Sequence, residues 1–194
     1  MAQLDNLLTE VRRCTLCAGA LTHGVRPVLQ VSANAQILVA GQAPGSKVHA
    51  SGVPFDDPSG DRLRDWMGID RATFYDALQV AILPMGFCYP GAGKSGDLPP
   101  RPECAPKWRR AILDEMPNLK LTLVIGQFAA RWHLGGIQQK NLTETVRNWP
   151  NYVANGYLPL PHPSPRNNIW LKKNLWFETE VLPELRAKVG AILR

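Results

Sequence analysis

Apolar residues are distributed along this chain in two patterns. Short runs with little polar alternation occur at Gln36–Ala40 (QILVA), Leu78–Leu83, Leu119–Ile125 and Tyr157–Leu160. Runs of this length describe strands buried on both faces, as in a parallel sheet. Between them the spacing turns helical. Leu4 to Val11 forms a short first helix, and Leu63, Trp66 and Met67 share a face behind Ser59, the expected N-cap. Trp108 to Met116 and Gln127 to His133 also read as helices, and Val181, Leu182, Leu185, Val189, Ile192 and Leu193 make a final apolar stripe. This alternation predicts an α/β fold: a three-layer α/β/α domain over residues 1–194, with a central four-stranded parallel sheet. In such a sheet, ligands bind at the carboxyl ends of the strands. Two of those ends carry distinctive sequence, Gly41-Gln42-Ala43-Pro44-Gly45 and His162-Pro163-Ser164-Pro165-Arg166-Asn167.

With 194 residues the chain is long enough for one sizeable core. Its first ten residues mix Asp5, Asn6 and Glu10 with leucines, unlike a signal peptide, and no apolar run approaches the length of a membrane span. A cytoplasmic, monomeric protein without membrane contact is expected. The net charge of +6 favours a polyanionic partner, the alternative being ordinary surface lysine and arginine. Lys94, Arg101, Lys107, Arg109 and Arg110 are expected to form a basic surface. Gly91-Ala92-Gly93-Lys94-Ser95 imitates the end of a phosphate-binding loop. However, the required first glycine would fall on Cys88, and Pro99-Pro100 follow where a helix should begin.

The chain has four cysteines: Cys14-x-x-Cys17, Cys88 and Cys104. In a reducing compartment this spacing points to metal or redox chemistry rather than disulfides. A thioredoxin-like pair would follow a strand, whereas this one precedes the first strand-like run. Four thiolates with no histidine close by suit either a zinc ion or an iron–sulfur cluster, and buried apolar thiols are the structural alternative.

Gly41 and Gly45 allow a sharp turn and a close backbone approach to a ligand, with amide groups as anion donors. His162 sits between two prolines that hold its backbone still. Together these motifs resemble the uracil-DNA glycosylase superfamily, whose first motif begins G-Q/E/M/L-x-P and whose second is H-P-S or similar. The resemblance is most detailed to the iron–sulfur (family 4-like) branch, through the Gly52-Val53-Pro54-Phe55 match and the order of the cysteines. HPSPRN is more similar to the single-strand-selective uracil glycosylases. The resemblance runs from Cys14 to about Asn167 and implies that Cys14, Cys17, Cys88 and Cys104 hold a [4Fe–4S] cluster.

It further implies a DNA glycosylase of base excision repair, acting on DNA that contains uracil or another deaminated base. Such an enzyme flips the nucleotide into a pocket. Phe55 would stack on the base, and Gly41, Gln42, Ala43 and Ser164 would line its site. His162, with backbone amides near Gln42, would stabilise the leaving base. Ser164 and Arg166 would contact DNA, and Gln42, His49 or Asp56 would position water. Two positions depart from the branch: Gln42 replaces its usual acidic residue, and Pro84 stands where an asparagine reads the base. Ala43 occupies the place of the aspartate of other relatives, so GQAPG holds no carboxylate. A pocket less selective than a strict uracil enzyme, or tuned to a base such as hypoxanthine, is expected. The rival readings are a non-cleaving iron–sulfur protein that binds damaged DNA and a cluster-bearing redox protein. The second would leave HPSPRN unexplained.

Overall fold

The computed structural model of the chain describes residues 2–94 and 96–194, so Met1 and Ser95 lie outside it. In chain order the elements are α1 (Ala2–Arg12), β1 (Ile37–Ala40), α2 (Ser46–Ser51), α3 (Pro58–Met67), α4 (Arg71–Tyr75) and β2 (Val80–Ile82). A two-stranded hairpin of β3 (Ala92–Gly93) and β4 (Gly96–Asp97) precedes α5 (Cys104–Asp114), β5 (Leu121–Ile125) and α6 (Gly126–Leu134). Then come α7 (Leu142–Arg147), α8 (Pro150–Val153), β6 (Tyr157–Leu160), α9 (Asn168–Lys173) and α10 (Leu182–Ile192).

The central sheet has the order β2-β1-β5-β6 and is parallel throughout. Its strands are apolar on both faces because both are covered. Leu38, Ala40, Ala81, Leu83 and Val124 face α1, α5 and α6. Ile37, Val39, Ile82, Leu123, Ile125 and Leu160 face α3 and α10. This is the expected three-layer arrangement. The outer edge of β2 is sealed by Gln30, whose backbone pairs with Ile82 and whose amide donates to the carbonyls of Phe74 and Val80. The chain steps from β1 to β2 on one side and to β5 on the other, so the switch point lies beside the carboxyl end of β1. No helix among the described residues is long and apolar enough to cross a membrane.

Four local expectations are corrected. The N-cap of α3 is Asp57, whose Oδ1 accepts from Gly60 N at 2.9 Å, with Pro58 in the first turn. Ser59 lies inside the helix and is buried. The second strand starts only at Val80, because Asp76 folds the preceding residues into a turn and leaves Leu78 exposed. The helix predicted from Trp108 begins at Cys104. In line with the rejection of a phosphate-binding loop, Ala92 and Gly93 of GAGKS belong to the hairpin, and Ser95 lies outside the described residues.

The fourth correction removes Arg109 from the basic surface. Ala105, Trp108, Arg109 and Ile112 are the buried face of α5, and Arg109 is fully buried. Of its former companions, Arg101 is paired with Glu103 at 2.6 Å and Lys107 lies over the Trp108 ring. Arg109 Nη2 lies 2.7 Å from His133 Nε2. A guanidinium can only donate, so His133 accepts with a lone pair. Burial, with Arg109 beside it, pushes the His133 imidazole down to about 3.

Below about pH 6.5 the unfolded chain therefore protonates His133 while the native protein does not. Stability is expected to fall as pH drops from 6.5 towards 3, by up to about 1.4 kcal/mol per unit from this group. Thermal unfolding between pH 7 and pH 4 checks this, and His133→Gln should flatten the slope.

Candidate active site

The loops after β1 and β6 meet over the sheet in one cleft of about 600 Å³, a size that suits a small ligand. Gly41, Gln42, Ala43, Phe55, His162, Ser164 and Arg166 all line it. His49 and Asp56, two of the three expected water-positioning groups, do not. The His49 Nε2 lies 3.1 Å from the His23 carbonyl, next to the Tyr89 ring. Asp56 is held by Arg71 at 2.9 Å, which keeps its carboxyl below the usual range.

The loop that carries His162 is braced by its own side chains. Asn167 Nδ2 donates to the His162 carbonyl at 2.7 Å, and Ser164 Oγ accepts from Arg166 N at 3.3 Å. Arg62 on α3 donates to the Ser164 carbonyl at 3.1 Å. Ser164 N donates to His162 Nδ1 at 3.2 Å. A nitrogen that accepts carries no proton, so the neutral ring bears its hydrogen on Nε2. Burial lowers the His162 pKa, Asp57 and Asp97 oppose the shift, and Arg166 adds to it. The imidazole is thus a neutral donor.

Phe55 sits at a rare backbone position, with φ of 54°. Tyr75 Oη donates to the Pro54 carbonyl at 3.0 Å, and Arg64 Nη1 lies 3.5 Å from the Phe55 carbonyl. A Cβ at Gly60 would lie 1.7 Å from that carbonyl oxygen, so only glycine fits there. The Phe55 ring packs edge-on to Phe74 and against Gly41, where an added Cβ would come within 3.3 Å. Gly41 thus leaves room for this ring rather than serving a left-handed turn, since its φ is not positive. Strain held by surrounding contacts fits a ring kept in place for a ligand.

The cleft also holds two carboxylates that neither strand-end motif marks, Asp57 and Asp97. Asp57 accepts from Gly60 N through Oδ1, and its Oδ2 has no hydrogen-bond partner among the described residues. The Asp-Pro pair before a helical pattern is an N-cap signal that could have found it. Asp97 comes from the hairpin, whose position over the cleft no local pattern reveals. The Asp97 Oδ2 would lie 3.4 Å from a Cβ at Gly45, and the Arg166 guanidinium rests against Gly96. Gln42 Nε2 donates to the Leu98 carbonyl at 3.3 Å, which ties the first motif to this hairpin. The back wall of the cleft is apolar, made by Val28, Ile82 and Pro84.

On the other side of the Gly86–Cys88 segment, Cys14, Cys17, Cys88 and Cys104 line a second, smaller cavity with Phe87, Arg101 and Trp108. None forms a disulfide. Phe87 N and Trp108 Nε1 donate to the sulfurs of Cys104 and Cys14, each at 3.4 Å. Burial pushes the Cys104 thiol up to about 12, with the other three cysteines adding to it. Among the described residues no three Cys, His, Asp or Glu side chains converge as ligands of a single ion.

The family model described as Uracil DNA glycosylase superfamily matches residues 29–186. That stretch holds every strand of the sheet and both loops of the cleft, and the chain belongs to this superfamily.

Proposed function

We propose that the protein is a monofunctional DNA N-glycosylase that flips uracil or another deaminated base out of DNA and removes it by hydrolysis, as in base excision repair. The observation that carries this reading is a neutral His162, its Nε2–H free of the loop, in one cleft with Asp57 and a strained Phe55. Phe55 would stack on the flipped base, and Gly41, Gln42 and Ala43 would border it. As the bond between C1′ and the base nitrogen breaks, its electron pair leaves on the base. A preorganised N–H donor at His162 stabilises that anion without a proton transfer. Water then adds its oxygen to C1′ and gives up a proton, for which the free Oδ2 of Asp57 is the candidate acceptor. Ser164, Arg166 and Lys47 at the rim would hold the DNA backbone.

The test is strand scission at the abasic product, using oligonucleotides that each carry one modified base. Excision of at least one deaminated base is expected, and binding without excision would support the non-cleaving alternative. Pro84 lines the cleft and offers neither a side-chain amide nor an N–H. With no hydrogen-bond reader at this position, little is left unpaired there when the wrong base enters, so discrimination is weaker. Uracil is therefore expected to share the pocket with bases such as hypoxanthine. Pro84→Asn should raise uracil preference, and a wild type that excises uracil alone would overturn this reading.

The four cysteines suit a [4Fe–4S] cluster by donor chemistry. All four donors are cysteine sulfurs, they share one cavity, and Cys14 and Cys104 receive N–H···S bonds of the kind that tune cluster sulfurs. When bound, the cluster would supply metal–thiolate bonds that tie the Cys14–Cys17 loop to Cys88 and α5, a structural role that hydrolysis does not need for electron transfer. Anaerobically purified protein should be brown, with broad absorbance near about 400 nm. Elemental analysis showing zinc, or no metal, would refute the cluster.

A further inference from the structure

The segment from Leu83 to Phe87 leaves the sheet between the cleft and the cysteines, yet its backbone is closely bonded. Leu83 N donates to the Val39 carbonyl at 3.0 Å, Met85 N to Gly41 at 2.8 Å and Gly86 N to Gln42 at 2.9 Å. Phe87 N donates to Cys104 Sγ, and the Phe87 carbonyl accepts from Val28 N at 2.7 Å. The carbonyls of Leu83 and Pro84 are both taken by Arg109 Nη1, at 2.5 and 2.8 Å. Arg109 Nη2 is anchored on His133, and its Nε is buried without a partner.

No ion pair to a carboxylate compensates Arg109 among the described residues. A buried cation in such a setting stabilises a core no better than a packed apolar side chain of similar volume. Stability alone therefore does not account for it. The fork does fix one local geometry, the point at which β2 ends. Proline has no N–H, so its carbonyl is the only backbone group by which Pro84 can be held. The Pro84 ring lies in the cleft wall with Val28 and Ile82.

From this we infer that Arg109 is a positioning residue that sets base preference, by holding Pro84 in the cleft wall through the two carbonyls. It acts from behind the wall, as part of the glycosylase reading above. The experiment measures kcat/KM for uracil and for hypoxanthine in the same DNA context. Arg109→Lys keeps the charge but lacks the planar fork that spans both carbonyls and His133. The uracil-to-hypoxanthine ratio is expected to move by about five-fold or more, within the range that pocket contacts usually control.

Val189→Ala, a core truncation on the opposite sheet face, provides the stability control and should leave the ratio unchanged. If Arg109→Lys does not fold, His133→Leu removes the anchor and should move the ratio in the same direction, while His133→Gln retains an acceptor and should preserve it. An unmoved ratio in the variant that folds, or an equal movement in Val189→Ala, overturns the assignment. If the wild type binds DNA without cutting it, the same ratios are read from binding affinities, so the placement of Arg109 is tested apart from the chemistry. A wild type that neither cuts nor distinguishes bases defeats the glycosylase reading and this inference together.

Discussion

Replacing His162 with alanine is expected to slow single-turnover excision by about 100-fold or more, the scale for losing one preorganised donor at a developing anion. The size of the effect follows from how the ring is held. Its Nδ1 is occupied by the Ser164 amide, so Nε2 is the nitrogen that donates. Burial is the main cause of its lowered pKa, so the neutral ring persists to lower pH than in an ordinary histidine. Activity should accordingly persist through mildly acidic pH without a step at about 6.5 attributable to this ring. Rates on the best base of the panel, with saturating enzyme, separate this chemical loss from weaker binding. Full activity in His162→Ala would make the residue structural and the mechanism wrong.

Asp57→Asn should cost about 100-fold or more in the same assay, a typical contribution of a positioned general base. The substitution separates two roles that one carboxylate fills here. Asparagine is as good an N-cap as aspartate, so the bond to Gly60 N and the start of α3 should survive. What disappears is the charge on Oδ2 and its capacity to take a proton. Unfolding temperature should stay close to that of wild type while the rate collapses. Asp97→Asn provides the comparison. Asp97 reaches the cleft from the hairpin and is expected to matter less, because among the described residues no hydrogen bond of the kind Asp57 makes to Gly60 fixes its carboxylate. A large loss in Asp97→Asn with none in Asp57→Asn would exchange the two assignments.

Neither carboxylate could be located by reading along the chain. Asp57 lies next to Asp56 in FDDPSGD, and composition does not tell which of the two faces the cleft. The fold separates them: Asp57 caps α3 and turns inward, while Asp56 turns out to Arg71. Arg109 gives the opposite lesson. Its charge groups it with surface cations, although its spacing with Ala105, Trp108 and Ile112 marks the buried stripe of a helix.

The order of strands and helices could be read from the chain alone, because burial on both faces writes an apolar run into a strand and a 3.6-residue period into a helix. The two motifs at strand ends were also legible, since the glycines of GQAPG and the prolines around His162 and Ser164 stand out in the chain itself, although what Gly41 makes room for, the Phe55 ring, comes from another loop. What the chain alone left open was convergence. Asp57, Asp97, Phe55 and His162 come from a helix cap, a hairpin, a strained loop and a strand end. They share one cleft because the parallel sheet points the ends of β1 and β6 the same way and packs α3 against one face. Local spacing encodes which face of an element is buried. Only tertiary packing decides which buried faces and which loops come to lie around the same space.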